Sequence, residues 1–172
     1  AKLTANLVET AGAGRILGID FHQHQIQGFF DIPVDHLYAA PVLTKYFQDK
    51  ALEDLVVVSP DVGSAKMARG FARRLNASFA IIDKRRPAPN ESEVLNVVGD
   101  VAGSNCLITD DMVDTAGTMV SAVRALKDRG AFAVYACATH ALLSGSAPER
   151  LSAAPLTELV VTNTVQIPEE RK

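Results

Sequence analysis

The sequence predicts an α/β protein, a mostly parallel sheet flanked by helices, and three observations predict it. Leu55-Val56-Val57-Val58 and Phe79-Ala80-Ile81-Ile82 are continuous apolar runs, as in strands covered on both faces; a half-exposed antiparallel sheet would alternate apolar with polar residues. Strand-like and amphipathic helical stretches take turns along nearly the whole chain, the arrangement that joins parallel strands by helical crossovers. The 172 residues are 48% apolar and 22% charged, which excludes a disordered chain and suits a globular one of about one domain at roughly 150 residues each.

The elements follow in order. Ala1 to Ala11 sets Leu3, Leu7 and Ala11 on one helical face and stops at Gly12, a residue favoured just past a helix end. Arg15 to Asp20 reads as a strand, Phe21 to Pro33 is irregular, and Leu37 to Lys50 is helical, with Pro41 tolerable only in a first turn. Leu55 to Val58 and the amphipathic Ser64 to Leu75 form one strand-helix unit. Phe79 to Ile82 is another strand, running into Asp83-Lys84-Arg85-Arg86-Pro87-Ala88-Pro89-Asn90, polar and proline-rich enough to predict a long mobile loop. Strands are expected at Glu93 to Val98, Cys106 to Thr109, Ala133 to Ala138 and Leu159 to Thr162. Helices are expected at Met119 to Arg129, ending at Gly130, and around Pro148 to Leu151.

Composition also bounds the partners. Lys plus Arg number 17 and Asp plus Glu 20, a net charge of −3, so no general electrostatic footprint for nucleic acid exists and any phosphate must be held locally. Cys106 and Cys137 lie inside apolar stretches and read as buried free thiols, pointing to a reducing compartment such as the cytoplasm. No apolar run approaches the ~20 residues of a membrane span.

In parallel α/β sheets ligands bind beyond the carboxyl ends of the strands. The strongest such turn is Asp110-Asp111-Met112-Val113-Asp114-Thr115-Ala116-Gly117-Thr118. Ala116 and Gly117 let backbone approach a ligand, Thr115 and Thr118 offer hydroxyls, and the following helix start offers N–H groups and positive dipole to a dianionic phosphate. The cradle has no lysine and is not a Walker loop. Three carboxylates beside an anion site need something neutral or cationic to contact, and sugar hydroxyls or a hard metal ion would serve. A sugar phosphate meets both requirements; the bland alternative is an acidic helix cap.

That loop resembles the ribose-phosphate loop of the type I phosphoribosyltransferase fold. Together with Ile26 to Asp35, Val58 to Gly63 and Ile82 to Arg86, it resembles the ribose-phosphate diphosphokinases, also called phosphoribosyl pyrophosphate synthetases. The resemblance covers essentially this whole chain and about the second half of the family's chain. It implies a fragment: 1–36 the truncated end of an N-terminal domain, 37–172 a C-terminal phosphoribosyltransferase-like domain with the ribose 5-phosphate site. Alone, such a fragment is expected to bind ribose 5-phosphate weakly and to lack synthesis.

The resemblance implies that the β,γ-diphosphate of ATP passes to the C1 hydroxyl of ribose 5-phosphate, giving phosphoribosyl diphosphate and AMP. It assigns Lys84 and Arg86 to catalysis, where an ammonium and a forked guanidinium suit the spread charge of phosphoryl transfer; without it, Lys-Arg-Arg reads as a solvated edge. Arg86, Asp110, Asp111, Asp114, Thr115, Ala116, Gly117 and Thr118 would bind ribose 5-phosphate. His22 and Asp61 would associate with Mg2+, His22 and Gly63 with the nucleotide diphosphate, and Asp31 and Asp35 would shape the nucleotide side. By itself His22 reads as a turn residue, and His24 matches no family role. Where the family has a second glycine after Gly63, this chain has Ser64, either crowding diphosphate or capping the next helix. The family also implies a cytoplasmic homo-oligomer, a hexamer, with neither nucleic acid nor membrane as partner. Two alternatives share the fold: a nucleobase phosphoribosyltransferase, which needs a base-binding hood, and a non-catalytic synthetase-associated subunit, whose loop motifs would be degraded.

Overall fold

The computed structural model describes residues 1–85 and 94–169, which divide into two compact units, Ala1–Ala39 and Ala40–Lys172. In the first, helix α1 (Lys2–Thr10) precedes β1 (Ile16–Ile19), a 3-10 turn at His24–Phe29, and β2 (Val34–Leu37). The two strands pair in parallel, Ile16 opposite Val34. Asp31 and Asp35, expected to shape a nucleotide side, are engaged here with Lys2 and Arg15, exposed pairs that add little stability. The unit also gathers Phe21, His24, His36 and Tyr38 into tilted ring contacts with centroids 4.5–6.1 Å apart. Burial holds the His36 imidazole below its ordinary pKa, helped by the nearby His24, and the Phe21 N–H donates to His36 Nε2 at 3.0 Å.

The second unit is built on a six-stranded sheet. Its elements are α2 (Ala40–Lys50), β3 (Leu55–Ser59), α3 (Ala65–Leu75), β4 (Ser78–Arg85), β5 (Val94–Val98), β6 (Asn105–Val113), α4 (Gly117–Asp128), β7 (Ala133–Ala141), α5 (Ala147–Ser152) and β8 (Glu158–Val161). The strand order is β5-β4-β3-β6-β7-β8, with every pairing parallel except β4 with β5. Side chains of successive strand residues point to opposite faces. Val56, Val58, Cys106, Ile108, Val134 and Ala136 accordingly share one buried cluster with Met119, Val120, Val123 and Leu126 of α4. The equally buried Val57 and Leu107 fill the other face, where α3 packs on β3 and β6 through its buried side of Ala68, Phe71 and Ala72. The Phe47 ring of α2 meets Tyr135 edge-on, and Tyr46 and Lys50 of α2 both bond Glu158 of β8.

The structure corrects the element boundaries where polar residues lie inside strands. β4 continues through Asp83, Lys84 and Arg85, predicted as loop, because Asn96, Leu95 and Val94 of β5 pair with them; the rest of that predicted loop, from Arg86, lies outside the described residues. β6 runs past Thr109 to Val113, since β7 extends alongside it to Ala141. Leu37 closes β2, and α2 starts only at Ala40, with Pro41 in its first turn. Gly130 does end α4, at φ +83°, and both cysteines are buried free thiols. Among the described residues no helix is long and apolar enough to cross a membrane.

Candidate functional site

Strand order reverses between β3 and β6, and crevices at such a reversal are where open α/β sheets take ligands. The turn after β3 holds Asp61 and Gly63; the segment after β6 holds Asp114 to Thr118. The switch point therefore joins two of the regions singled out from sequence.

After β6 the chain turns through Asp114, Thr115 and Ala116 and enters α4 at Gly117. Ala116, the residue preceding the helix, sits in the left-handed region at φ +61°, and no side chain caps the helix start. The first intrahelical bond runs from Val120 N–H to the Ala116 carbonyl, so Gly117, Thr118 and Met119 have no helical acceptor, as at every helix start. The acidic-cap alternative fails here: none of Asp110, Asp111 or Asp114 caps α4. A β-carbon built on Gly117 would meet nothing closer than Thr115 Oγ1 at 3.9 Å. Asp114, Thr115 and Thr118 are exposed around this opening.

Asp110 and Asp111 precede the turn as part of β6. Burial pushes the Asp110 carboxyl up to about 7, and the carboxylates of Asp111 and Asp61 add to the rise. The Asp111 N–H, donating to Asp110 Oδ1 at 2.9 Å, opposes it. Asp61 is thus close enough to Asp110 to act on its charge. One step back along β6, the Thr109 hydroxyl is buried without a partner among the described residues.

In the turn after β3, Ser59 donates its hydroxyl to the Asp61 carbonyl at 2.7 Å. Ser64 occupies the position before α3 yet caps nothing, which corrects the capping alternative: its N–H and hydroxyl both go to Asp61 Oδ1, at 2.9 and 2.8 Å. A β-carbon at Gly63 would approach the same oxygen to 3.3 Å. Carboxylate oxygens of Asp61, Asp110 and Asp111 in one neighbourhood suit a hard divalent cation, although among the described residues no three His, Cys, Asp or Glu side chains form a ready metal cluster.

His22 lies exposed in the first unit, after β1. Lys84 lies within β4, opposite Leu95, and Arg86 lies outside the described residues. Sequence reasoning singled out Ser64 but not its role as the Asp61 partner, which the spacing of three signals, and it missed Arg150, whose guanidinium Nη1 donates to the Thr115 carbonyl at 3.3 Å and which had no local signal.

A parallel sheet with a reversal at β3/β6, and an uncapped helix start after an acidic strand end, define a protein of the phosphoribosyltransferase fold. A purine phosphoribosyltransferase from Pyrococcus horikoshii, 15% identical, has that fold with a TM-score of 0.54 over 87% of each chain. The chain belongs to the phosphoribosyl synthetase-associated domain family, whose profile matches residues 84–172. It is 58% identical to the ribose-phosphate pyrophosphokinase of Bacillus caldolyticus over 100% of this chain and 55% of that one. The phosphoribosylpyrophosphate synthetase of Mycobacterium smegmatis superposes with a TM-score of 0.92 at 46% identity, covering 99% of this chain and 56% of that chain. The expected resemblance is borne out, and the chain spans about half the length of these relatives.

Proposed function

We propose that the Asp114–Thr118 loop binds the 5-phosphate of ribose 5-phosphate while Asp110 and Asp111 take its ribose hydroxyls. This chain would thereby supply the sugar-phosphate site for diphosphate transfer from ATP. The observation that carries the reading is the helix start at Ala116 and Gly117, which no side chain caps and whose front is open beyond Gly117. Backbone N–H groups in that setting suit a phosphate dianion. A carboxyl that burial pushes up to about 7, Asp110, is about half protonated near neutrality, so it can exchange hydrogen bonds with neutral hydroxyls and repels an adjacent phosphate less than an ordinary carboxylate would.

In the reaction the C1 hydroxyl oxygen bonds to the β-phosphorus of ATP, the bond from that phosphorus to the oxygen of the α-phosphate breaks, and AMP and the hydroxyl proton leave. Lys84 and Arg86 are proposed to bind the transferring diphosphate, since positioning and charge neutralisation supply most of the catalysis in phosphoryl transfer. Mg2+ would be held by Asp61 together with substrate phosphates, and would neutralise phosphate charge. Gly63 would keep the diphosphate approach open beside Asp61. Identity of 58% to a ribose-phosphate pyrophosphokinase across the whole chain supports this reading over the nucleobase enzyme.

Calorimetric titration of ribose 5-phosphate into this chain tests it. Binding that weakens about tenfold in Asp114→Ala, on the scale of a lost charged hydrogen-bonding group, is the expected result; undiminished affinity would overturn the assignment.

A further inference from the structure

The turn that forms the cradle is held from behind by one later stretch of chain. The Val113 carbonyl accepts from the N–H groups of Leu142 and Leu143 at 2.9 and 3.1 Å, and the Asp114 carbonyl from the Ser144 N–H at 2.9 Å. The next carbonyl, that of Thr115, accepts from the Arg150 guanidinium at 3.3 Å. Three successive carbonyls are thus tied to residues 142–150. In a trans peptide the C=O and the following N–H point in opposite directions, and no peptide here is cis. Drawing these carbonyls toward 142–150 therefore turns the N–H groups of Asp114, Thr115 and Ala116 away from 142–150. The N–H groups of Thr115 and Ala116 meet no backbone acceptor among the described residues.

The first ties come from backbone and survive any side-chain change. The last one comes from a side chain, and it holds the peptide leading into Ala116, a non-glycine residue in the left-handed region at φ +61° that needs external support to stay there. Arg150 is placed for this by α5, a short helix anchored by the fully buried Ala147.

We propose that Arg150 is a positioning residue for the phosphate cradle: by holding the Thr115 carbonyl it aims the Ala116 N–H at the bound phosphate. The inference rests on the sugar-phosphate reading of the loop and adds to it a residue 35 positions away in sequence. Arg150 acts through the backbone and has no contact with the reacting atoms. Its removal should therefore lower affinity for the phosphate-bearing ligand, without altering chemistry once the ligand is bound.

The test compares the unaltered chain with Arg150→Met and Arg150→Lys. Arg150 is exposed, so thermal midpoints should be nearly equal and show that each variant folds. Amide 15N relaxation without ligand should show Thr115 and Ala116 more mobile in Arg150→Met, a local readout that a general loss of stability would not produce. Ribose 5-phosphate should bind Arg150→Met about tenfold more weakly, equivalent to about 1.4 kcal/mol, and Arg150→Lys should recover part of that. Unchanged loop order together with unchanged affinity in Arg150→Met would overturn the proposal. Failure of the unaltered chain to bind ribose 5-phosphate would overturn the sugar-phosphate reading itself, a distinct outcome because the relaxation comparison needs no ligand.

Discussion

Ser64 donates both its backbone N–H and its hydroxyl to the same oxygen of Asp61, at 2.9 and 2.8 Å. The carboxylate is thereby held in orientation through that one oxygen. Ser64→Ala keeps the N–H bond and loses the hydroxyl bond, which should cost about 1 kcal/mol of folding stability. Urea denaturation checks this, and a variant as stable as the unaltered chain would show that the hydroxyl bond contributes nothing.

Asp110 gives a pH signature. Burial raises its carboxyl in the fold from the ordinary 3.8 to about 7, so the fold prefers the protonated form. Below about 4 the group is protonated folded and unfolded alike and carries no penalty. The penalty grows between about 4 and about 7, by at most about 1.4 kcal/mol per pH unit, and is complete above. Asp110→Asn without ligand should therefore raise the thermal midpoint more at pH 8 than at pH 5. Equal effects at both pH values would contradict a buried, raised carboxyl.

Lys84 yields a kinetic prediction. In a full-length ribose-phosphate pyrophosphokinase carrying this segment, Lys84→Ala should lower kcat by about 100-fold or more with little change in KM, as expected when a contact forms mainly in the transition state. A rise in KM alone would make Lys84 a ground-state binding residue.

How much was legible depended on where the determining contacts lie. The covered strands at Val56–Val58 and Cys106–Ile108 announced themselves because burial on both faces writes an unbroken apolar run. The same logic hid the ends of β4 and β6: Asp83 and Asp110 are polar, yet strand pairing is a backbone matter, decided by partners at Asn96 and Ala138 that hydropathy does not reveal. β2, four residues with Asp35 and His36 at its centre, was missed for that reason. The turn proposed to bind phosphate was singled out by its small residues before a helix. The left-handed Ala116 and its clamp from Arg150 were not, because any residue with a free donor could serve, and only the fold brings α5 to the turn.

The central claim, that phosphate sits against the helix start at Ala116 and Gly117, is tested most directly at Gly117. A methyl there meets no protein atom closer than 3.9 Å, and alanine favours the helix over glycine, so Gly117→Ala should leave the thermal midpoint equal or slightly raised. The same methyl stands where a bound phosphate would approach the backbone. Ribose 5-phosphate titrated into that variant should bind at least about tenfold more weakly, about 1.4 kcal/mol, while the fold is undisturbed. Full affinity in a stably folded Gly117→Ala would place the phosphate elsewhere and contradict the account.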